Sequence, residues 1–483
     1  MSRRTLKACD SCHVRKVRCN GSLPCQQCNH LDLPCNFSPS KKPRLSGPRG
    51  RLVAQLRNGR GKRQSELPAL VPINDLPSLA SPVVNKQVSA SLSSDCPYPD
   101  DYFTALIPDY ERLVYPVNPI LTSSEILESI KLMRTEATHA ALVYAFAAAT
   151  IDLSQTSRRP SGDNASRIPD LMSRSIAAYH QIDQGDRLQD IHLSVRRIMS
   201  CVFMGVCMMA FSRFDRSFVH VREAIAMIQM LRIDKYDSAE KNRLGDAEVA
   251  RRQRLYWEAF IHERFLTMSS SYPSILPPLR TGLPLEDPNI PLHIHVGFSR
   301  LIRLFLIIDD EFLAHWAAQE DPHREPRTVS AAWIELKQKE LDDDESSSAA
   351  ETEAIPLSTT TVPGLTELQH ADLFVTRSWL RTLVWQIAMS NCLLSSKPPS
   401  SSHEAMSLVF PVRRLSAQLR QLVTRPEMKT SIGMHGSGIL QKLFEIANTI
   451  ADVMALVPAA MVAENKEGFE HQRIADLLFV VRV

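Results

Sequence analysis

Six of the chain's ten cysteines fall within the first 35 of its 483 residues. They are Cys9, Cys12, Cys19, Cys25, Cys28 and Cys35, spaced C-x2-C-x6-C-x5-C-x2-C-x6-C, two near-copies of one unit joined by a five-residue loop. A C-x2-C pair lets a single turn of backbone offer two thiolates to one ion, and a tetrahedral Zn²⁺ takes four such ligands. One zinc leaves two sulfurs spare. Two zincs need eight ligand positions from six sulfurs, so two sulfurs must bridge, and the internal symmetry favours that arrangement. Other uses of clustered cysteines fit less well. The first seven residues are basic but no apolar stretch follows them, so a secretory signal is not expected and a disulfide framework is disfavoured. An iron–sulfur site uses four cysteines at other spacings, and a redox pair wants a βαβ surround that these residues lack.

Charge sets the same segment apart. The formal net charge of the whole chain is only +3, yet residues 1–63 hold 15 Lys and Arg against two acids, Asp10 and Asp32. That head is +13 and the remainder −10. A short basic head on a mildly acidic body reads as a polyanion-binding module joined to something else.

The run Ala8-Cys9-Asp10-Ser11-Cys12-His13-Val14-Arg15-Lys16-Val17-Arg18-Cys19-Asn20-Gly21, followed by Pro24-Cys25-Gln26-Gln27-Cys28 and Pro34-Cys35, resembles the Zn2Cys6 binuclear-cluster domain of fungal transcription factors. The resemblance implies that Cys9 and Cys25 bridge two structural zinc ions, that Cys12 and Cys19 complete one site and that Cys28 and Cys35 complete the other. Six thiolates around two Zn²⁺ leave a charge near −2, which Arg15, Lys16 and Arg18 can offset. The stretch from Asp10 or Ser11 to Cys19 is expected to form a short helix with a polar N-cap. The resemblance further implies that Arg15 and Lys16 read bases, commonly over a CGG half-site, since Arg and Lys donate to guanine O6 and N7. Arg18 would hold phosphate, and His13 stands where the family often has Arg. Pro24 suits the loop between the two halves because it fixes φ and lacks an N–H; in some relatives the peptide before it is cis.

Beyond Cys35, the basic residues Lys41, Lys42, Arg44, Arg49 and Arg51 read as nuclear localisation or phosphate contacts. Leu52, Val53 and Leu56 begin an apolar pattern, but Gly59 and Gly61 cut it within about one heptad, short of the three or four a coiled coil needs. Monomeric binding and homodimerisation both stay open. Residues 64–99 are rich in Pro and Ser, the composition of an extended, disordered tether.

From about residue 98 the texture is helical. Thr122-Ser123-Ser124-Glu125 matches a capping box opening a helix through Met133. Residues 137–153 are alanine-rich, and further helices are expected over 168–181, 194–211 and 218–231. The apolar stretch 198–211 is too short to cross a bilayer and reads as a core helix. Residues 251–265, which include Trp257, Phe260 and the pair Glu263-Arg264, are similar to the signature helix of the fungal-specific middle homology domain, with Ser270-Ser271-Tyr272-Pro273 in place of its usual Gly-Arg-Pro. Trp257 and Phe260 read as core residues. Asp342-Asp343-Asp344-Glu345-Ser346-Ser347-Ser348 marks residues 338–364 as an acidic, low-complexity loop, with helices resuming over 365–394 and from 405 to the segment 474–483.

The expected architecture is therefore mostly α: a two-zinc module over residues 1–40, a basic then Pro/Ser-rich linker over 41–97, a helical regulatory domain over 98–337, the acidic loop, and a C-terminal helical part over 365–483. No H-E-x-x-H, G-x-S-x-G, Walker A or G-x-G-x-x-G pattern occurs. His293 and His295 lack nearby ligand partners, and Cys96, Cys201, Cys207 and Cys392 read as ordinary thiols. No enzyme is expected, because the cluster would consume all six cysteines and leave zinc no open position. The reading is a nuclear, zinc-dependent, sequence-specific regulator of RNA polymerase II genes. Activation is the commoner mode in the family, and the resemblance implies control of a metabolic pathway or a secondary-metabolite gene cluster. Its partners would be double-stranded DNA and the transcription machinery, without a membrane. The alternative is a metabolite-sensing repressor whose helical body is a small-molecule receptor.

Overall fold

Several helix starts in this chain are set by side chains that take up orphan backbone donors. In the computed structural model, which describes residues 8–15, 17, 19–31, 33–37, 97–155, 167–182, 191–320, 329–353, 364–424, 431–432 and 436–456, the Thr122 hydroxyl accepts from the Glu125 N–H. The Glu125 carboxylate in turn accepts from the Thr122 N–H at 2.9 Å. This is the expected capping box, and its helix runs Ser123–Leu132. A second box, Thr366 with Gln369, opens Glu367–Ser390 by the same reciprocal bonds.

Two short helices, α1 (Asp10–Arg15) and α2 (Gln26–His30), belong to the N-terminal module. The body begins with α3 (Asp100–Thr104), a π-turn at Tyr110–Val114, α4 (Ser123–Leu132), α5 (Ala137–Gln155), α6 (Arg167–Gln181), α7 (Val195–Ala210) and α8 (Phe214–Leu231). It continues with α9 (Ser238–Leu244), α10 (Asp246–Ser270), α11 (Leu292–Leu306), α12 (Asp310–Glu320), α13 (Ala331–Glu353), α14 (Glu367–Ser390), α15 (Ser416–Thr424) and α16 (Gly436–Leu456). Among the described residues there is no β-strand, only an isolated bridge between Ser395 and Ser407. The chain divides into two units, Met1–Pro39 with Tyr98–Val483, and Ser40–Pro97.

The alanine-rich α5 is buried on every side from Ala140 to Ala149, and its small side chains let α6 and α7 pack closely on it. The apolar stretch 198–211 is that core helix α7, and no described helix is long and apolar enough to cross a membrane. The largest fully buried side chains, Trp257 on α10 and Trp379 on α14, mark the centre of the body, and Phe260 is buried beside Trp257 with ring centroids 5.2 Å apart. Gly245 turns the chain from α9 into α10 at φ 80°, a conformation that suits glycine.

The pair Glu263-Arg264 works as a clasp. Glu263, 3% exposed, accepts from Arg222 at 2.8 Å, from the Ser274 hydroxyl at 2.7 Å and from the Ile275 and Leu276 N–H groups at 2.9 Å each. Arg264 lies 4.5 Å over the Phe260 ring and donates to the Ile308 carbonyl. The pair thus pins the segment after α10, where Ser271 ends the helix in a left-handed conformation.

The acidic loop expected over 338–364 is corrected up to residue 353: that stretch belongs to α13. Trp333, Ile334, Lys337, Gln338 and Leu341 recur at helical spacing and are buried, while the acids turn toward arginines of α14. Arg377 donates to Asp344 at 2.8 Å, and Arg381, 1% exposed, donates to Asp342 and, at 2.9 Å, to Glu345. A run of four acids is solvated or disordered when it faces water. Here buried cations recruit it. Two further boundaries move: the helix expected over 218–231 starts at Phe214, and the segment after residue 404 opens as a short 3-10 turn and a π-turn before α15. The segment 474–483 and Cys96 lie outside the described residues.

Candidate metal centre

The cysteine pairs are presented by the helix starts, as the C-x2-C spacing requires. Cys9 precedes α1 and Cys12 lies in its first turn. Cys25 caps α2, its sulfur accepting from the Cys28 N–H at 3.3 Å. The Asp10 N–H bonds the Asn36 carbonyl at 2.7 Å and Ser11 donates to the Pro34 carbonyl at 2.5 Å, so the two ends of the module are tied together. The Leu23–Pro24 peptide is cis. The helix expected to reach Cys19 is corrected: α1 ends at Arg15, and the Val17 N–H bonds the Cys12 carbonyl at 3.1 Å as the chain turns to bring the Cys19 sulfur inward.

The six sulfurs form two overlapping groups. Those of Cys9, Cys12, Cys19 and Cys25 all lie within 4.8 Å of one another, and so do those of Cys9, Cys25, Cys28 and Cys35. Cys9 and Cys25 are common to both groups. The separations Cys9–Cys25 at 3.6 Å, Cys9–Cys28 at 3.5 Å and Cys12–Cys25 at 3.5 Å compare with about 3.8 Å for the edge of a tetrahedron with Zn–S bonds near 2.3 Å. Two tetrahedra sharing the Cys9–Cys25 edge therefore fit these sulfurs.

As thiolates, the six sulfurs need positive charge among them. Burial pushes the Cys28 thiol up, and the adjoining Cys25 and Cys9 sulfurs push it further. Burial also raises Cys9. Burial opposes ionisation of Cys25 as well, yet the Cys28 N–H and the neighbouring thiols bring it down to about 6. Sulfurs this close cannot all be thiolates unless positive charge sits among them. Backbone donors help: the Cys25 N–H reaches the Cys35 sulfur at 3.1 Å and the Gly21 N–H the Cys19 sulfur at 3.4 Å.

His13 and Arg15 lie on α1, but their side chains are outside the described residues, as are Lys16, Arg18, Lys41, Lys42, Arg44, Arg49 and Arg51 altogether. His293 and His295 sit in the first turn of α11, in none of the groups of potential ligands. Cys201 and Cys207 are buried on α7, where burial raises both thiols, Cys201 to about 12. One set of polar residues escaped the sequence: Asn118, Glu258, His262, Asp372 and Lys442 converge on a cavity in the body. They come from four stretches of chain; Asn118 and Glu258 alone are 140 residues apart, and no local spacing signals such a meeting.

Residues 7–44 match the family model of the fungal Zn(2)-Cys(6) binuclear cluster domain. Along most of its length the chain is similar to a probable sucrose utilization protein of Candida albicans, 21% identical over 477 residues, 98% of this chain and 83% of the relative. It is similar likewise to a maltose fermentation regulatory protein of Saccharomyces cerevisiae, 22% identical over 454 residues, 93% of this chain and 84% of the relative. A terrein cluster-specific transcription factor of Aspergillus terreus is 50% identical over 48 residues, 10% of this chain and 7% of the relative. No solved structure matches the chain. Spacing, sulfur geometry and family match converge: the N-terminal module of this chain is a fungal Zn(2)-Cys(6) binuclear cluster domain, which binds two zinc ions.

Proposed function

We propose that this protein is a nuclear, sequence-specific DNA-binding regulator of transcription by RNA polymerase II. The observation that carries the reading is the two-group arrangement of six sulfurs at one end of a head that holds 15 Lys and Arg against two acids. Cys9 and Cys25 bridge the two zincs, Cys12 and Cys19 complete one, and Cys28 and Cys35 the other. The metal is structural: it replaces the apolar core a module this small cannot build. Arg15 and Lys16, at and just beyond the end of α1, read guanine edges of CGG-type half-sites. Arg18 and His13 serve phosphate, and the basic run from Lys41 to Arg51 adds phosphate contacts or nuclear import. We take the protein as an activator of metabolic genes. The long likeness to a probable sucrose utilization protein and a maltose fermentation regulatory protein supports carbohydrate use, while the likeness to the terrein cluster-specific transcription factor is confined to 48 residues.

A gel shift with the zinc-loaded full chain tests this. Duplexes carrying CGG half-sites are expected to compete at least tenfold better than scrambled ones. Lys16→Ala is expected to lose about 1–3 kcal/mol of that preference, the value of one good base contact. A Lys41→Ala/Lys42→Ala variant should weaken all duplexes alike and lower the salt dependence by about two counterions. Specific binding retained by Cys9→Ala, or a preference undiminished in Lys16→Ala, overturns the reading.

A further inference from the structure

The body holds a partly open cavity of about 150 Å³, walled by the π-turn and the segment after it and by α5, α7, α10, α11, α14 and α16. A cavity of that size accommodates a molecule about as large as benzene. Its walls are largely apolar, with the rings of Phe203, Phe265 and Phe305 among them, and into them are set five polar side chains.

Those polar groups do not balance. The Lys442 ammonium is already engaged, 2.7 Å from the Thr376 hydroxyl and 3.3 Å from Asp372. Glu258, 4% exposed, accepts from the Asn118 amide N–H at 2.8 Å, and among the described residues no Lys or Arg stands within ion-pair distance of it. His262 lies 3.3 Å from the Glu258 carboxyl, but burial pushes its pKa down, so it stays neutral. Burial, with the charge of Asp372 adding to it, drives the Glu258 carboxyl up to about 8 against the bond from Asn118. The other end of the Asn118 amide, its Oδ1, is buried without a hydrogen-bond partner, on a side chain 5% exposed. The lining thus holds two carboxyls, one ammonium and a spare acceptor. A cationic guest that can donate would let Glu258 ionise against it and would meet the unpartnered Asn118 Oδ1.

Space is kept for such a guest. Gly438, in the first turn of α16, lines the cavity, and a Cβ built on it meets no atom within 4 Å. Alanine or leucine would suit a helix better than glycine does, and the missing side chain leaves the volume open.

We propose that this cavity is a binding site for a small primary amine with a compact apolar body, its ammonium held by Glu258 and the Asn118 Oδ1 and its body laid against Phe203 and Phe265. The proposal goes beyond the DNA-binding reading and uses none of its residues. A guest here touches α10, α14 and α16 together, helices on which the packing of the body depends.

Calorimetric titration of the zinc-loaded full chain, without DNA, tests it. The probes are benzylamine and cyclohexylamine, their neutral counterparts benzyl alcohol and cyclohexanol, and the anion benzoate. The amines are expected to saturate at one site and to bind at least tenfold more tightly than the alcohols. Glu258→Gln, which keeps shape and the bond from Asn118, should abolish that preference while alcohol binding is unchanged. Gly438→Leu should block amine and alcohol alike by filling the volume, with circular dichroism reporting an intact fold. Alcohol or benzoate binding as tight as amine binding overturns the proposal. So does the absence of saturable binding by any probe, or amine binding that both variants leave intact. Because DNA takes no part, none of these outcomes bears on the cluster module.

Discussion

Cys9 and Cys25 lie within reach of both groups of sulfurs, whereas Cys12, Cys19, Cys28 and Cys35 each belong to one. Loss of a shared ligand opens both tetrahedra, and loss of a terminal one opens only its own. Cys25→Ala is accordingly expected to bring bound zinc close to none per chain, while Cys35→Ala keeps about one, with metal counted by mass spectrometry after gel filtration. Equal loss in the two variants would sink the shared-edge arrangement. At this scale the site was largely legible beforehand, because a tetrahedral ion converts spacing along the chain directly into geometry. The convergence of Asn118, Glu258, Asp372 and Lys442 was not, since nothing local links residues 70 to 140 positions apart.

Elements with a local signature were also legible. The capping box at Thr122 and the alanine-rich α5 declare themselves through hydrogen-bonding groups and side-chain entropy that act within one turn. The acidic α13 did not, because its charge run masks a stripe of buried residues and only α14 supplies the counter-charges. Burial works against ionised Asp342, and His403 and Arg381 outweigh it; burial works against ionised Glu345, and Arg381, Arg414 and Arg377 outweigh it. Both carboxyls are therefore held below their ordinary values of 3.8 and 4.5. Their contribution is fully present above those values and is lost as pH falls through the lower folded-state ones. Arg381→Met is expected to cost on the order of 2 kcal/mol at pH 7, less than a fully buried pair because both acids are partly solvated. Its urea midpoint should also fall less steeply than the wild type's below about pH 4. An unchanged midpoint at pH 7 would mean that the ion pairs do not hold α13.

In the whole molecule, two unlike sources of stability sit on one chain. Apart from its cysteines, the described apolar residues buried in the cluster module are Leu31 and Leu33, so the metal carries its fold. The body is built round Trp257, Trp379 and a dense set of buried phenylalanines, an apolar core of its own. A chelator is therefore expected to abolish DNA binding while the helical circular dichroism signal at 222 nm falls by about a tenth or less, and added zinc should restore binding. Collapse of the helical signal on chelation would refute that independence. By itself, the sequence determined the zinc module, the basic charge of the head and the helical class of the body, because metal geometry, net charge and helical periodicity are written in neighbouring residues. Only the tertiary structure decided that the acidic run is a helix, that Glu263-Arg264 is a clasp, and that the body holds an apolar-walled cavity into which Asn118 and Glu258 are set. Each depends on partners brought from distant stretches of chain, and burial, which sets the strength of every charge involved, exists only once the helices have packed.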